Sequence, residues 1–247
     1  MTGVKMGLRR LLAILVLVLL SAGGCVPLPA ALPAPGATDG TEQAVFEPVN
    51  LNRAPAGRLE ASRVSAAPRL DGQMDAVWAM AQPLRIPLAA PSHGSGPQGA
   101  REIELRAVHT ADTLYLLARW PGEPPPDAAD TTFNQLTIHW TIPTLAGSPP
   151  PACGVACHTA YVDGRGRVAY MNSETIPQGG QDALSAGGGW AEGAWSVAWS
   201  RPLVSANAYD VQFDDLSACY LFFVKIFERA DGRSDAVSKP YALVFVP

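Results

Sequence analysis

The residues best suited to chemistry lie between Leu136 and His158. This stretch holds His139 in an alternating strand, followed by a Pro-rich loop that carries Cys153, Cys157 and His158. The last three form a C-x-x-x-C-H segment, one residue longer than the C-x-x-C-H of ordinary c-type haem attachment. Two thiols and a histidine are what covalent attachment to two haem vinyl groups and the iron requires. The same two cysteines could instead close a small disulfide loop, as expected after export.

Two further side chains could serve as ligands. Met171 follows a strand and offers a thioether sulfur, which raises the potential of a haem relative to ligation by two nitrogens. Lys225 lies in a strand that is apolar on both faces, so its amine has to be paired or neutralised. Binding iron as a neutral amine is one solution, and a salt bridge to Asp214 or Asp215 is another. The remaining histidines are predicted to be surface or loop residues: His93 and His109.

The N-terminus predicts export and a lipid anchor. Residues 1–25 combine three basic residues, the apolar run Leu11–Leu20 and small residues before Cys25, as in a lipoprotein signal. An ordinary cleaved signal with an incidental cysteine is the alternative. Residues 26–57 are rich in Pro and Ala and predict an extended tether. The folded domain is expected over 58–247, outside the cytoplasm and anchored to the cell membrane through Cys25.

The net negative charge and the lack of common catalytic motifs argue against several classes of function. The first 25 residues hold three of the 18 basic side chains and none of the 22 acidic ones, which leaves 15 basic against 22 acidic and a formal charge of −7. Such a chain is a poor partner for nucleic acid, whose binding depends on phosphate neutralisation. The sequence also lacks the common catalytic motifs. We therefore expect a carrier or a non-catalytic subunit rather than an enzyme.

The hydrophobic pattern predicts an all-β fold. Short alternating segments separated by Gly, Pro and Asp turns, without a βαβ rhythm, favour an antiparallel β-sandwich of the immunoglobulin-like or jelly-roll-like kind with short helical turns. The main helix candidate is Gln73–Ala81. The predicted strands are Ile103–Ala107, Leu114–Trp120, Leu136–Ile142, Val168–Met171, Trp195–Trp199, Ala218–Phe227 and Tyr241–Val246.

Three phrases carry a family resemblance. Leu70–Trp78 (LDGQMDAVW), Leu114–Trp120 (LYLLARW) and Gly193–Leu203 (GAWSVAWSRPL) occur in this order, with the C-x-x-x-C-H segment between the last two. The first phrase is similar to the opening of family 9 carbohydrate-binding modules and of DOMON-like haem and sugar domains. Over residues 68–246 the order resembles the ethylbenzene-dehydrogenase-related haem-binding family. That family includes the haem b gamma subunits of DMSO-reductase-type enzymes and cytochrome c-552-like proteins.

The resemblance implies electron transfer through one haem, with b-type favoured over covalently attached c-type. His139 falls where the family has an axial methionine, and Lys239 is the basic residue nearest to the position of its axial lysine. Met171 is a further candidate for the second ligand, and Cys153, Cys157 and His158 form the covalent alternative. The implied partner is a redox protein, such as a molybdenum enzyme or a cytochrome complex.

A second hypothesis is a carbohydrate- or small-ligand-binding module of a surface lipoprotein. It would use tryptophans such as Trp120, Trp140 and Trp190 as stacking platforms, with a Cys153–Cys157 disulfide and no chromophore. A purely structural surface lipoprotein is the third.

Overall fold

The computed structural model describes residues 54–89, 101–124, 133–141, 155–163, 167–174, 184–207, 210–227 and 236–247. The predicted signal, Cys25 and nearly all of the predicted tether lie outside these ranges. Within them no helix is long and apolar enough to cross a membrane. The elements are β1 (Arg58–Arg63), α1 (Ala76–Met80), β2 (Leu84–Ala89), β3 (Arg101–His109), β4 (Thr113–Pro121), β5 (Phe133–Thr141), β6 (Val155–Val162), β7 (Val168–Glu174), β8 (Ser185–Ala191), β9 (Ala194–Pro202), β10 (Tyr220–Ile226), β11 (Ala236–Ser238) and β12 (Tyr241–Val246).

The strands form one twelve-stranded sheet that folds over itself. Neighbours follow the order β7-β6-β5-β10-β11-β2-β3-β4-β9-β8, while β12 pairs with β10 and β1, and β1 also pairs with β3. The pairs are antiparallel except those of β1, which runs parallel to both β12 and β3. A bridge between Arg167 and Gly189 joins the two ends of the order.

The hydrophobic core lies between the two halves of this folded sheet. Alternate residues of each strand face inward, as the period-2 pattern requires. The inward residues come from both halves: Leu136, Ile138 and Trp140 of β5, Phe222, Val224 and Ile226 of β10, Ile103 and Leu105 of β3, Leu116 and Trp120 of β4, and Trp195, Val197 and Trp199 of β9. The predicted all-β sandwich is confirmed.

The LDGxxDxxW phrase forms a cap over the outside of one half. Asp75 begins α1, and its Oδ1 accepts hydrogen bonds from the backbone N–H groups of Val77 and Trp78 at 2.9 and 3.0 Å. Trp78 is fully buried, and its indole N–H donates to the Arg69 carbonyl at 3.1 Å. The indole packs in a second apolar cluster, which includes Val108, Leu117 and Ala198 of β3, β4 and β9.

The glycine-rich run before β9 is a strand, β8, which the sequence pattern did not predict. A Cβ at Gly187 would overlap the Leu70 carbonyl oxygen, and one at Gly188, which has φ +109°, would overlap the Ser196 carbonyl oxygen. The Ser196 hydroxyl donates to the carbonyl of Gly72. The glycines are therefore needed because the turn around Gly72 lies backbone to backbone against β8 and β9.

Two sequence predictions about histidines are corrected by the strand positions. His109 was expected on the surface or in a loop, yet it is 4% exposed at the end of β3. Its Nδ1 and Nε2 lie 2.8 and 3.3 Å from the carbonyl oxygens of Thr110 and Val246. His158 was expected at the end of a loop, yet it lies inside β6. His93 lies outside the described residues.

Candidate functional site

Strands β5, β6 and β10 lie side by side with β5 in the middle. His139 is registered with Cys157 of β6 and Phe223 of β10, while Ile138 is registered with His158 of β6. Because consecutive strand residues project to opposite faces, Ile138 and His158 share the core face. His139 and Phe223 project to the other face. The two histidines of the predicted haem site are therefore separated by the sheet itself.

His158 is held on both sides of its ring. It is fully buried, the Trp140 indole N–H donates to its Nδ1 at 3.0 Å, and its Nε2 lies 3.0 Å from Oδ1 of Asp210. A tryptophan N–H can only donate, so Nδ1 accepts, and Nε2 carries the proton that it donates to Asp210. An iron ion bound to either nitrogen would have to replace one of these hydrogen bonds.

Arg201 completes this group, which we name the buried ion network: Trp140, His158, Arg201 and Asp210. Its Nη1 lies 3.3 Å from Oδ2 of Asp210, and its Nη2 donates to the Val211 carbonyl at 2.7 Å. Arg201 and Asp210 are 1% and 2% exposed. With no access to solvent, the network ties β5, β6 and β9 to the chain around Asp210 and is structural. The sequence reading missed it, although Arg201 stands in the quoted GAWSVAWSRPL phrase.

The opposite face of the same three strands carries a second set of polar side chains. We name it the polar face, and it consists of Gln135, Thr137, His139 and Thr141 of β5, Thr159 of β6, and Phe223 and Lys225 of β10. It is not exposed as a surface row of polar residues would be, because most of its members are buried: Gln135 (3% exposed), Thr137 (3%), His139 (8%), Thr159 (1%) and Phe223 (6%). Lys225 and Thr141 are half-buried and reach solvent.

Contacts within the polar face hold its side chains in fixed positions. The hydroxyls of Thr137 and Thr159 are 3.0 Å apart. The His139 ring stacks on Phe223 with 4.3 Å between centroids and 3° between planes. The Lys225 ammonium lies 5.6 Å from the centroid of Phe223. The face is therefore pre-organised on rigid strands rather than on loops.

Two buried polar atoms of β5 have no hydrogen-bond partner within the part of the chain that the structure describes: Nε2 of Gln135 and Oγ1 of Thr141. Gln135 is the extra residue where the register of β5 with β6 shifts between Asn134 and Leu136. Such bulges often re-aim a side chain beside a binding site. The two orphaned atoms lie at opposite ends of the β5 row, with His139 and Thr137 between them.

Burial, and to a smaller extent the positive charge of Lys225, lowers the pKa of His139 from its usual 6.5 to about 3. His139 is therefore a neutral imidazole near pH 7. In that form one ring nitrogen donates a hydrogen bond and the other accepts one. A neutral histidine suits recognition of a hydroxyl group, which also both donates and accepts.

The other predicted ligands are dispersed. Lys239 is exposed in the connection between β11 and β12. Met171 lies in β7, registered with Ala160 of β6, and Cys157 lies in β6. Cys153 lies outside the described residues. Cys157 and His139 are registered with each other on the adjacent strands β6 and β5. His139 and His158 are not brought together, because they project to opposite faces of the sheet.

The predicted tryptophan platforms are mostly buried. Trp120 and Trp140 are 2% and 0% exposed, so neither can stack on a ligand, and this part of the second hypothesis is corrected. Trp120 stacks on Trp195 with 6.1 Å between centroids. Trp190 is registered with Trp195, is half-buried, and donates its indole N–H to the Gly122 carbonyl at 2.8 Å. It is the member of the predicted set that reaches solvent.

Two open grooves flank Asp112 at the turn between β3 and β4. Their volumes are about 550 and 470 Å³, and their lining includes Arg63 and Thr110 on one side and Phe213 and Leu216 on the other. Among the described residues, none that lines them has a buried polar atom without a partner. The grooves are therefore favoured by their concave shape alone. The polar face is favoured by the unsatisfied atoms of Gln135 and Thr141, while the indole nitrogens of Trp120 and Trp199, which also have no partner among the described residues, lie in the hydrophobic core.

No protein-family model and no curated protein matches this sequence. Solved structures similar to the chain include a family 9 carbohydrate-binding module from Caldicellulosiruptor kristjanssonii. Its glucose complex has 10% identity and a TM-score of 0.45 over 76% of this chain and 95% of that one. Its cellotriose complex has 11% identity and a TM-score of 0.45 over 77% and 95%. A putative carbohydrate-binding protein from Bacteroides uniformis has 10% identity and a TM-score of 0.44 over 76% and 99%.

The prediction of a haem-binding cytochrome for electron transfer is wrong. Among the described residues, no group of three or more His, Cys, Asp or Glu side chains is placed to hold a metal ion. The residues also do not fit a haem, because of the predicted axial pair His139 is buried in β5 whereas Lys239 is exposed between β11 and β12. In the covalent alternative, both ring nitrogens of His158 are already engaged in hydrogen bonds.

Proposed function

We propose that the chain is a non-catalytic binding module that takes a carbohydrate on the polar face. The observation that carries the proposal is a pair of buried atoms at its two ends, Nε2 of Gln135 and Oγ1 of Thr141, for which the described residues supply no hydrogen-bond partner. A buried donor or acceptor without a partner costs about 1–3 kcal/mol, so each one requires an explanation. A ligand that supplies both missing hydrogen bonds accounts for both residues.

The chemistry of the polar face matches a ligand rich in hydroxyl groups. Each sugar hydroxyl donates and accepts, and the face offers an amide at Gln135, hydroxyls at Thr137 and Thr159, and a neutral imidazole at His139. The stem of Lys225, which is half-buried, supplies apolar surface for the C–H side of a sugar ring. A few polar groups fixed among apolar ones are typical of small-ligand sites.

The cellular setting is part of the proposal. Cys25 carries a lipid, residues 26–57 hold the module away from the membrane, and the domain works outside the cytoplasm, where glycans are abundant. No acid–base pair or activated nucleophile is assigned, and the module binds its ligand without changing it. The proposal therefore predicts no turnover of the bound sugar.

The test is a glycan array, followed by isothermal titration calorimetry on the mature chain with the glycans that bind. Gln135→Leu and Thr141→Val each remove one unpartnered group and keep the size of the side chain close to the original. We expect each change to weaken binding at least about 10-fold and to raise the free energy of unfolding by about 1 kcal/mol, because an orphaned polar group is removed. Gln73→Leu, at an exposed amide away from the polar face, is the matched control.

Two outcomes contradict the proposal. Absence of binding to every glycan on a broad array would remove the ligand class. Binding that survives in Gln135→Leu and Thr141→Val but is lost in Trp190→Ala would move the site to the half-buried indole on β8.

A further inference from the structure

The two ends of the polar face are far apart along β5. Gln135 and Thr141 stand six residues apart in one strand, which rises about 3.3 Å per residue, so they lie about 20 Å from each other. Neither Nε2 of Gln135 nor Oγ1 of Thr141 has a hydrogen-bond partner among the described residues. A ligand that supplies both missing hydrogen bonds therefore has to be about as long as this row.

We propose that the ligand of the polar face is an extended oligosaccharide of roughly three or four sugar residues that lies along β5, and not a single sugar. The inference rests on the proposed carbohydrate function and adds the length and the direction of the ligand. A pyranose ring spans roughly 5–6 Å between oxygens on its opposite sides, because it is built from bonds of about 1.5 Å. With a hydrogen bond of about 3 Å at each end, one sugar joins groups roughly 11–12 Å apart. Three linked sugars are thus the shortest glycan that reaches from Gln135 to Thr141.

The middle of the row already makes contacts of its own. The hydroxyls of Thr137 and Thr159 are 3.0 Å apart across β5 and β6. The His139 ring stacks on Phe223 of β10 with 4.3 Å between centroids. A ligand therefore gains most at the two ends, where it supplies a hydrogen bond that the described residues do not. A short glycan that reaches one end obtains only one of these two contributions.

The direction of the ligand follows from the direction of the row. Gln135, Thr137, His139 and Thr141 are alternate residues of β5, and alternate residues of a strand line one face. Because a strand is an extended element, the row is long and nearly straight, and the spacing of its side chains is fixed. A glycan with an extended chain can follow this row, whereas a coiled chain soon turns away from it.

The test is isothermal titration calorimetry of the mature chain with β-1,4-linked gluco-, manno- and xylo-oligosaccharides of one to six sugar residues, together with the length series of any other glycan that binds on the array. In a series that binds, we expect the affinity to rise at least about 10-fold between two and four residues and to change less than about 3-fold beyond four. The tetrasaccharide should bind once per chain. Coiled α-1,4-linked malto-oligosaccharides should show no such rise.

Variants at the two ends test whether the length dependence arises on the polar face. Gln135→Leu and Thr141→Val should each weaken the tetrasaccharide at least about 10-fold and remove the rise between two and four residues. A disaccharide uses one end at a time, so at most one of the two variants should weaken it by more than about 2-fold. Thr141→Ser keeps a hydroxyl at its end and should retain the rise. Gln73→Leu, at an exposed amide, is the matched control.

The outcomes distinguish this inference from the function on which it rests. A monosaccharide that binds as tightly as the tetrasaccharide, two tetrasaccharides per chain, or an equal rise in the malto-oligosaccharides overturns the extended ligand and leaves carbohydrate binding in place. A rise with length that persists in both Gln135→Leu and Thr141→Val also overturns it, because the long ligand then binds elsewhere on the molecule. Absence of binding in every series and on the array overturns the inference and the proposed function together.

Discussion

Replacing His139 by phenylalanine should remove a specific sensitivity to acid. The pKa of His139 is about 3 in the folded chain because of burial and the nearby Lys225, whereas the unfolded chain has the ordinary value of about 6.5. Between these two values the unfolded chain binds a proton that the folded chain does not. The free energy of unfolding therefore falls as pH drops below 6.5, and the loss is complete near pH 3.

The size of the effect follows from this window. At pH 5 the unfolded histidine is about 1.5 pH units below its pKa, which corresponds to a loss of about 2 kcal/mol relative to pH 7, at 1.36 kcal/mol per unit. His139→Phe keeps a flat ring on Phe223 and removes the titrating nitrogen atoms. We expect the wild type to lose about 2 kcal/mol more than His139→Phe between pH 7 and pH 5.

The assay is urea unfolding at a series of pH values, followed by tryptophan fluorescence. Phe223→Leu is the control, because it removes the stacked ring and keeps the imidazole, so it should lower stability at every pH and preserve the slope. Equal slopes for the wild type and His139→Phe would show that His139 is not buried and neutral, and would refute the reasoning about the polar face.

Two other predictions concern the frame around the site. Gly187→Ala should lower the free energy of unfolding in urea by more than about 3 kcal/mol, because the new Cβ would overlap the rigid Leu70 carbonyl. A loss under about 1 kcal/mol would contradict the close approach of the two backbones. Arg201→Met should cost about 3–5 kcal/mol because it leaves Asp210 charged and buried, whereas Arg85→Ala, at an exposed ion pair, should cost at most about 1 kcal/mol. Similar costs at the two arginines would argue against the buried ion network.

Strands that alternate cleanly could be predicted from the sequence. Tyr241–Val246 has the bounds that the pattern indicates, and β4 and β9 extend their predicted segments by a residue or a few at each end. Strand β8 could not be predicted, because three consecutive glycines have poor strand propensity. These glycines are required by a tertiary contact, because they allow the Leu70–Gly72 turn, which is distant in sequence, to lie against the strand. Local propensity contains no information about that contact.

The sequence predicted which side of its strand carries His139, but it did not predict that this side is buried. Alternation correctly placed His139 on the polar side of its strand with Thr137 and Thr141, but a polar row predicts exposure, and burial of His139 depends on its tertiary surroundings. The C-x-x-x-C-H segment was read as a loop because prolines precede it. Once Cys157 and His158 are in a strand, their adjacency becomes an argument against a shared ligand, because neighbours in a strand project to opposite faces.

The buried ion network and the polar face lie on opposite faces of β5 and have opposite effects on the stability of the fold. In the buried ion network, His158 and Asp210 satisfy each other, and the fold loses stability if either is removed. On the polar face, a neutral buried histidine lowers stability below pH 6.5. The buried atoms of Gln135 and Thr141 that find no partner in the described part of the chain lower it at every pH. Apolar residues of similar size at these positions would give a more stable module. Residues that reduce stability are characteristic of binding sites, which is why we propose a binding function for the polar face and a structural role for the network.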